Sequence, residues 1–243
     1  MKKNNYPVNK MLYAFFLLLF LSFNLQAQDN TKVKTSGGGG FTIGYGYMDV
    51  SALQKFIPEG IGNFNNQHLL IGGTGHGFIE NIVIGGSGSG MIGSELSTDS
   101  FKYSLGGGYG TFDLGYLIVN KEKIKVYPML GIGGGGYSIR ISENQSLSVN
   151  EIVSNPAREI NVSAGRFIFD FSMNLNLVPA LDYNEDTGAY GGIMTGLKVG
   201  YIYSLPSSGW SYSGGAINGG PDFGFNMIYA KLIVGGFGYN KNK

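Results

Sequence analysis

Few residues of this chain are equipped for chemistry, and their spacing limits what they can do. The 243 residues include two histidines, His68 and His76, and no cysteine. Thiol catalysis, disulfides and cysteine-held zinc are therefore excluded. On one strand the two histidines would share a face but stand ~26 Å apart at ~3.3 Å per residue, too far to ligate one metal. The acidic run "DYNED", residues 182–186, lacks the ligand spacing of a calcium loop and reads as a solvated turn. "GIGGGG", residues 131–136, matches GxGxxG formally, but no helix follows it to hold a pyrophosphate. "GGSGSGM" lacks the Lys-Ser/Thr of a P-loop. No cofactor and no metal-ligand set is assigned. His68 with Ser94, Ser97 or Ser100 offers a nucleophile and base, provided the fold brings them within hydrogen-bond reach. No local signature accompanies them, so no catalytic residue is assigned.

The elements that must position these residues are strands. The stretch "GRFIFDFSMNLNLVPA", residues 165–180, alternates over its whole length. Phe167, Phe169, Phe171, Met173, Leu175 and Leu177 share one face. Asp170, Ser172, Asn174 and Asn176 share the other with Ile168. Period-2 alternation of this kind reads as a strand between an apolar and a polar environment. The same pattern predicts strands over 41–50, 68–79, 81–92, 101–119, 123–141, 190–204 and, least cleanly, 225–239. In the 190–204 strand Ile193, Leu197 and Val199 oppose Lys198. No long segment after residue 27 carries a clean helical period.

The N-terminus carries a different signal. Lys2, Lys3 and Lys10 precede the apolar run "MLYAFFLLLFLSF", and Ala27 offers a small residue before a cut. This is the pattern of a cleaved secretory signal peptide over residues 1–27. A glycine-rich lead-in over 28–40 and a barrel domain over 41–243 would follow. The net charge of +1 gives no electrostatic case for nucleic acid. Glycine reaches 42 residues, far above the usual share of about 7%. Charged residues make up 14%, well below the roughly 25% of soluble domains. Thirty-two Tyr and Phe residues (16 of each) argue against a disordered glycine-rich tract.

Connections and repeats define the architecture. "IGGTGHG" and "IGGSGSG" are near-copies, echoed by "LGGGYG", "IGGGGY" and "VGGFGY". Glycines in strands allow bends and close approach at barrel corners. The connections run long, short, medium, short, long, medium, long. A bilayer-spanning sheet must close on itself, because lipid offers no partner for a free edge. The fold expected is all-β: an antiparallel up-and-down transmembrane β-barrel of about eight strands, or ten if loop 142–159 hides a hairpin. Phe167, Phe169, Phe171, Met173, Leu175, Leu177, Ile193, Leu197 and Val199 would face lipid. Asp113, Arg140, Asp170, Asn174 and Lys198 would face the interior, with Lys231 in the same paired plug. An interior of eight strands is just wide enough for side chains to fill.

On these features the mature chain resembles the small outer-membrane β-barrels of gram-negative bacteria, of the eight-stranded OmpX or OmpA-barrel type. The resemblance lies in strand pattern and loop alternation. It implies residence in the cell outer membrane, contact with outer-membrane lipid, and handling by the barrel-assembly machinery, which reads a terminal aromatic. "LIVGGFGYNKNK" offers Phe237 and Tyr239 for that role, with four residues after Tyr239. The function expected is non-enzymatic: envelope structure, a surface interaction, or a narrow porin-like channel. Loops 51–66, 142–159 and 205–222 would hold any surface ligand. An exported, soluble lipocalin-like barrel with an apolar ligand inside is the alternative. It differs in turning Phe167 and its neighbours inward. A lipid-modifying enzyme that uses His68 as base is the third reading.

Overall fold

The structure, a computed structural model, describes residues 35–121, 123–145, 149–154, 159–179, 182–184, 189–206, 209–212, 215–218, 220–221 and 223–240. The signal-peptide pattern of residues 1–27 lies outside them. Eight long strands form the wall: β1 (Thr35–Tyr47), β2 (Gln67–Ile79), β3 (Ile82–Ser97), β4 (Phe101–Tyr116), β5 (Ile124–Glu143), β6 (Glu159–Leu177), β7 (Ala189–Ser204) and β8 (Met227–Asn240). Each pairs antiparallel with the next, and β1 pairs with β8 from Ser36↔Tyr239 to Tyr47↔Ile228. That last ladder closes the ring. The chain is an eight-stranded antiparallel β-barrel.

The start of β1 at Thr35, the end of β8 at Asn240 and the connections that join β2 to β3, β4 to β5 and β6 to β7 lie at one end, called here the terminus end. The connections at 48–66, 98–100, 144–158 and 205–226 lie at the other, the loop end. β5 and β6 are the longest strands, and β3 to β6 run on together past β2 and β7 at the loop end. Ion pairs brace the projection: Lys102 Nζ to Glu95 Oε1 at 2.8 Å and Arg140 Nε to Glu159 Oε1 at 3.0 Å.

Several expectations change. The first strand begins at Thr35, so Gly37–Gly40 belong to the wall and pair with Gly235, Gly236, Phe237 and Gly238. Glycine runs hide strands from an alternation argument because they carry no polarity to alternate. Within the described part of loop 142–159 there is a short helix, Val149–Ser154, in place of a hairpin. Two short strands, Trp210–Tyr212 and Gly215–Ile217, lie instead in loop 205–222. "DYNED" begins as a short strand, Asp182–Asn184, paired with β7; Glu185 and Asp186 lie outside the described residues.

Alternation sets what faces where. On β6 the odd residues point out and the even residues point in: Phe167 is 47% exposed and Ile168 is fully buried. Phe169, Phe171, Met173, Leu175 and Leu177 lie on the same outer face as Phe167. Ile193, Leu197 and Val199 do likewise on β7. Phe41, Ile43, Ile84, Phe112, Leu114, Ile132, Leu232 and Val234 continue the apolar outer surface around the ring.

Inward glycines make room for large inward side chains. A Cβ on Gly200 would lie 2.7 Å from the Tyr229 hydroxyl and 2.8 Å from the Phe171 carbonyl. A Cβ on Gly131 would lie 2.6 Å from Asp113 Oδ1 and 3.1 Å from Asp170 Cβ. By contrast, nothing stands within 4 Å of a Cβ on outward-facing Gly75. Gly200→Leu should therefore fail to close, seen as loss of the fast-migrating unheated band on a denaturing gel. Gly75→Ala should keep that band and raise the free energy of urea unfolding by up to about 1 kcal/mol, from the lower chain entropy lost on folding.

Candidate functional site: the charged plug

The barrel interior has three layers. At the loop end an aromatic stopper fills the mouth. The ring centroids of Tyr137 and Phe223 lie 4.6 Å apart, and those of Tyr137 and Trp210 5.4 Å apart. The Tyr137 hydroxyl donates to the Phe223 carbonyl at 2.7 Å, and Trp210 Nε1 donates to the Pro221 carbonyl at 2.9 Å. These bonds tie the stretch before β8 into the mouth. Met48, Val50 and Leu53 fold in from the first long connection and join the same apolar cluster. At the terminus end a second cluster holds Phe78, Tyr127, Met129, Phe237 and Tyr239.

Between them lies a belt of buried charge. Asp113 on β4, Asp170 on β6, Lys198 on β7 and Lys231 on β8 are all buried. Lys198 Nζ donates to Asp170 Oδ2 at 2.9 Å and to Ser87 Oγ at 3.1 Å, and lies 3.9 Å from Asp113 Oδ2. Asp170 also accepts from the Tyr229 hydroxyl, 2.7 and 2.8 Å from its two oxygens. Asp113 accepts from Thr111 Oγ1 at 2.7 Å and Ser87 Oγ at 2.8 Å. Two carboxylates thus share one ammonium, and hydroxyls take up the remaining lone pairs. This is the arrangement a buried ion pair needs to offset its desolvation.

Lys231 is held differently. It stands directly across the ladder from Lys198, a like-charge pair that would repel if left bare. Its Nζ instead donates to Tyr109 OH at 2.6 Å and Ser89 Oγ at 3.1 Å. It also sits 5.0 Å and 4.8 Å from the ring centroids of Tyr109 and Tyr229. Two electron-rich ring faces take the place of a carboxylate. Lys125 repeats the device at the terminus end, 5.5 Å from Phe78 and 5.2 Å from Phe237, with Asn120 Oδ1 as acceptor at 2.8 Å.

His76 links the belt to the terminus-end cluster. Asn176 Nδ2 donates to the Tyr127 oxygen at 2.7 Å, which leaves the Tyr127 O–H free to donate to His76 Nδ1 at 3.5 Å. His76 Nε2 then carries the proton and donates to Asp113 Oδ2 at 3.3 Å. Asn174 is buried beside this chain, across the ladder from Lys198.

Asp113, Asp170, Asn174, Lys198 and Lys231 are all buried, and all but Asn174 take part in the belt described above; Asn174 Nδ2 donates to Ser172 Oγ at 3.5 Å. Arg140 is a correction. It is 57% exposed on the outer face and pairs with Glu159. β5 buries its odd positions Lys125, Tyr127, Tyr137 and Ile139, so an even position cannot share their face. Sequence reasoning missed Tyr109 and Tyr229 as lysine partners. Their signal was parity: Tyr229 lies two residues from Lys231, and Tyr109 two from Thr111. Phe237 and Tyr239 point into the barrel, where Tyr239 stacks on Tyr190. His68 does not join Ser94, Ser97 or Ser100. It is buried with neither ring nitrogen hydrogen-bonded. The Ser94 hydroxyl accepts from the Asn65 amide, and that of Ser97 from Asn144 Nδ2.

No protein-family model matches the chain, and no curated protein matches it. Among solved structures, the chain is similar to Ail, the attachment invasion locus protein of Yersinia pestis. Identity is 10% and the TM-score 0.44, with 86% of this chain and 99% of that one covered. The same protein in complex with the heparin analogue sucrose octasulfate gives 13% identity and a TM-score of 0.42, with 84% and 99% covered. The outer membrane protease OmpT from Escherichia coli gives 9% identity and a TM-score of 0.33, with 89% and 99% covered. At such identities and scores these likenesses do not bear on function.

The plug makes a quantitative prediction. Lys198→Met leaves Asp170 and Asp113 buried without their shared cation and should destabilise the barrel by about 3–5 kcal/mol in urea unfolding. Adding Asp170→Leu and Asp113→Leu removes the stranded charges. The triple variant should recover a large part of that loss.

Proposed function

We propose that this chain is a sealed transmembrane β-barrel of a bacterial outer membrane, non-enzymatic, whose activity resides at its loop end. The observation that carries the reading is the inverted polarity of the wall. Large apolar side chains cover the outside, while ion-paired and hydroxyl side chains fill the middle of the inside. A soluble barrel with this surface would present a continuous apolar belt to water, far beyond the few hundred Å² usual for monomeric proteins. A lipocalin-like protein needs the opposite arrangement, with an apolar cavity inside. Lipid is the solvent that suits the outer face, and Phe167, Phe169, Phe171, Met173, Leu175, Leu177, Ile193, Leu197 and Val199 are the residues proposed to meet it.

The plug argues for a structural or surface-interaction role over conduction. An open path would have to cross the Tyr137–Phe223–Trp210 stopper, the Asp170–Lys198 belt and the Phe78–Phe237 cluster. With the interior filled, loops 51–66, 142–159 and 205–222 are left to recognise a surface ligand. The barrel-assembly machinery is proposed as the partner that inserts the chain. Inward-facing Phe237 and Tyr239 would be read before the barrel closes.

Fractionation tests the membrane assignment. The mature protein should stay in the membrane pellet through a carbonate wash and migrate faster unheated than heated on a denaturing gel. Release into the supernatant would contradict the assignment. In planar bilayers the purified protein should give no conductance steps. Steady channel openings by the unaltered chain would overturn the sealed reading while leaving the membrane assignment intact.

A further inference from the structure

His68 poses a problem the plug does not solve. It is 1% exposed, on the inner face of β2 at the loop end, and neither ring nitrogen has a hydrogen-bond partner. A neutral imidazole carries one donor and one acceptor, and leaving both unmade in a buried site is unfavourable. Its surroundings are unusual as well. Across the β1–β2 ladder His68 faces Gly46. A Cβ on Gly46 would run into Met227 Sδ, so the thioether of Met227 lies over the glycine opposite the imidazole. Directly opposed Cβ positions lie about 4.5–5.5 Å apart, and diagonal ones remain within reach of long side chains. Met48, just past the end of β1 in the first long connection, is the next inward residue after Gly46 and diagonal to His68. Leu70 is the next inward residue on β2 and pairs with Met91 on β3, whose methyl lies over Gly107 of β4, away from His68. All three methionines are buried in one cluster, and they are three of the eight in the chain.

We infer that His68, Met48 and Met227 form a binding site for a soft monovalent metal ion, copper(I). Thioether sulfur with one imidazole nitrogen is a ligand set that selects copper(I) over harder cations. The set is neutral, so the bound ion brings a single positive charge into an apolar shell, a smaller electrostatic burden than a divalent ion would impose. Methionine is unbranched and adaptable, and its sulfur can turn to a metal without moving the wall. Among the described residues no three His, Cys, Asp or Glu come together, so a harder metal has no comparable site. Ile57 and Phe64 belong to the same cluster and come from the first long connection, which makes the loop end the side of entry. The inference rests on the geometry of the barrel mouth alone and stands apart from the membrane assignment.

The test uses the full mature chain, refolded in detergent micelles and titrated without oxygen with copper(I) against a colorimetric chelator. One copper should be held per chain, with both sulfur and nitrogen in the X-ray absorption spectrum. Zinc(II) should not be retained. Met227→Leu and Met48→Leu, which nearly conserve volume, should each weaken copper binding by at least about tenfold. His68→Leu should abolish it if that variant folds. Met129→Leu, in the other cluster, should bind as the unaltered chain does. Folding of each variant is checked by its unheated gel band. No copper on the folded protein would overturn the site and leave His68 to a buried water. Equal binding by the Met227 and Met48 variants, or a spectrum without sulfur, would overturn it too.

Discussion

Everything inside this barrel is arranged around the ammonium of Lys198, shared between Asp170 at 2.9 Å and Asp113 at 3.9 Å. Charges taken out of water must be matched on the spot, and with an apolar outer wall solvent cannot serve from outside. The side chains that complete the match come from β2, β3, β4 and β8. His76, Ser87, Thr111 and Tyr229 each spend a hydrogen bond on one of the two carboxylates. Satisfying the belt therefore fixes the order and register of most of the wall. A slip of one residue in any of these strands would turn its polar partner outward and leave a bare charge inside.

β1 contributes differently. Its inward positions include Gly38, Gly40, Gly44 and Gly46, and the large side chains of β8 lie over several of them. A Cβ at Gly44 would stand 2.8 Å from Lys231 Cγ, and one at Gly38 2.9 Å from Phe237 Cδ2. The strand that closes the ring is thus nearly bare inside, and the strand it meets is crowded. Lys231, with no carboxylate in contact, can then lie between the rings of Tyr109 and Tyr229. In this chain the glycine excess and the aromatic excess are two sides of one packing solution.

Much of this was legible in the residues. The alternation at 165–180 fixed the two faces of β6, because every position there has a strong polarity. The eight alternating runs suggested the strand number, and the alternating lengths of the connections the up-and-down barrel. Where glycine removes polarity the pattern falls silent, and that is why the start of β1 went unseen. Arg140 was misplaced by grouping charges instead of counting parity from Lys125, which alone excludes a shared face. The stopper of Tyr137, Trp210 and Phe223 was beyond reach, since Trp210 and Phe223 come from a long connection whose return into the mouth leaves no periodic trace. The methionines beside His68 were equally hidden, as Met48 comes from the first long connection and Met227 from β8. His68 itself was noticed, but for a partnership with serines that the fold does not make.

The central claim is that the apolar face of the wall meets lipid. The chain has no cysteine, so single cysteines can be placed along β6 from residue 165 to 177 and spin-labelled in bilayers. Oxygen concentrates in hydrocarbon and relaxes labels exposed to it. A membrane barrel predicts strong relaxation at 167, 169, 171, 173 and 175, and weak relaxation at the even positions between them. The reverse alternation, or relaxation by a water-soluble reagent at the odd positions, would contradict it.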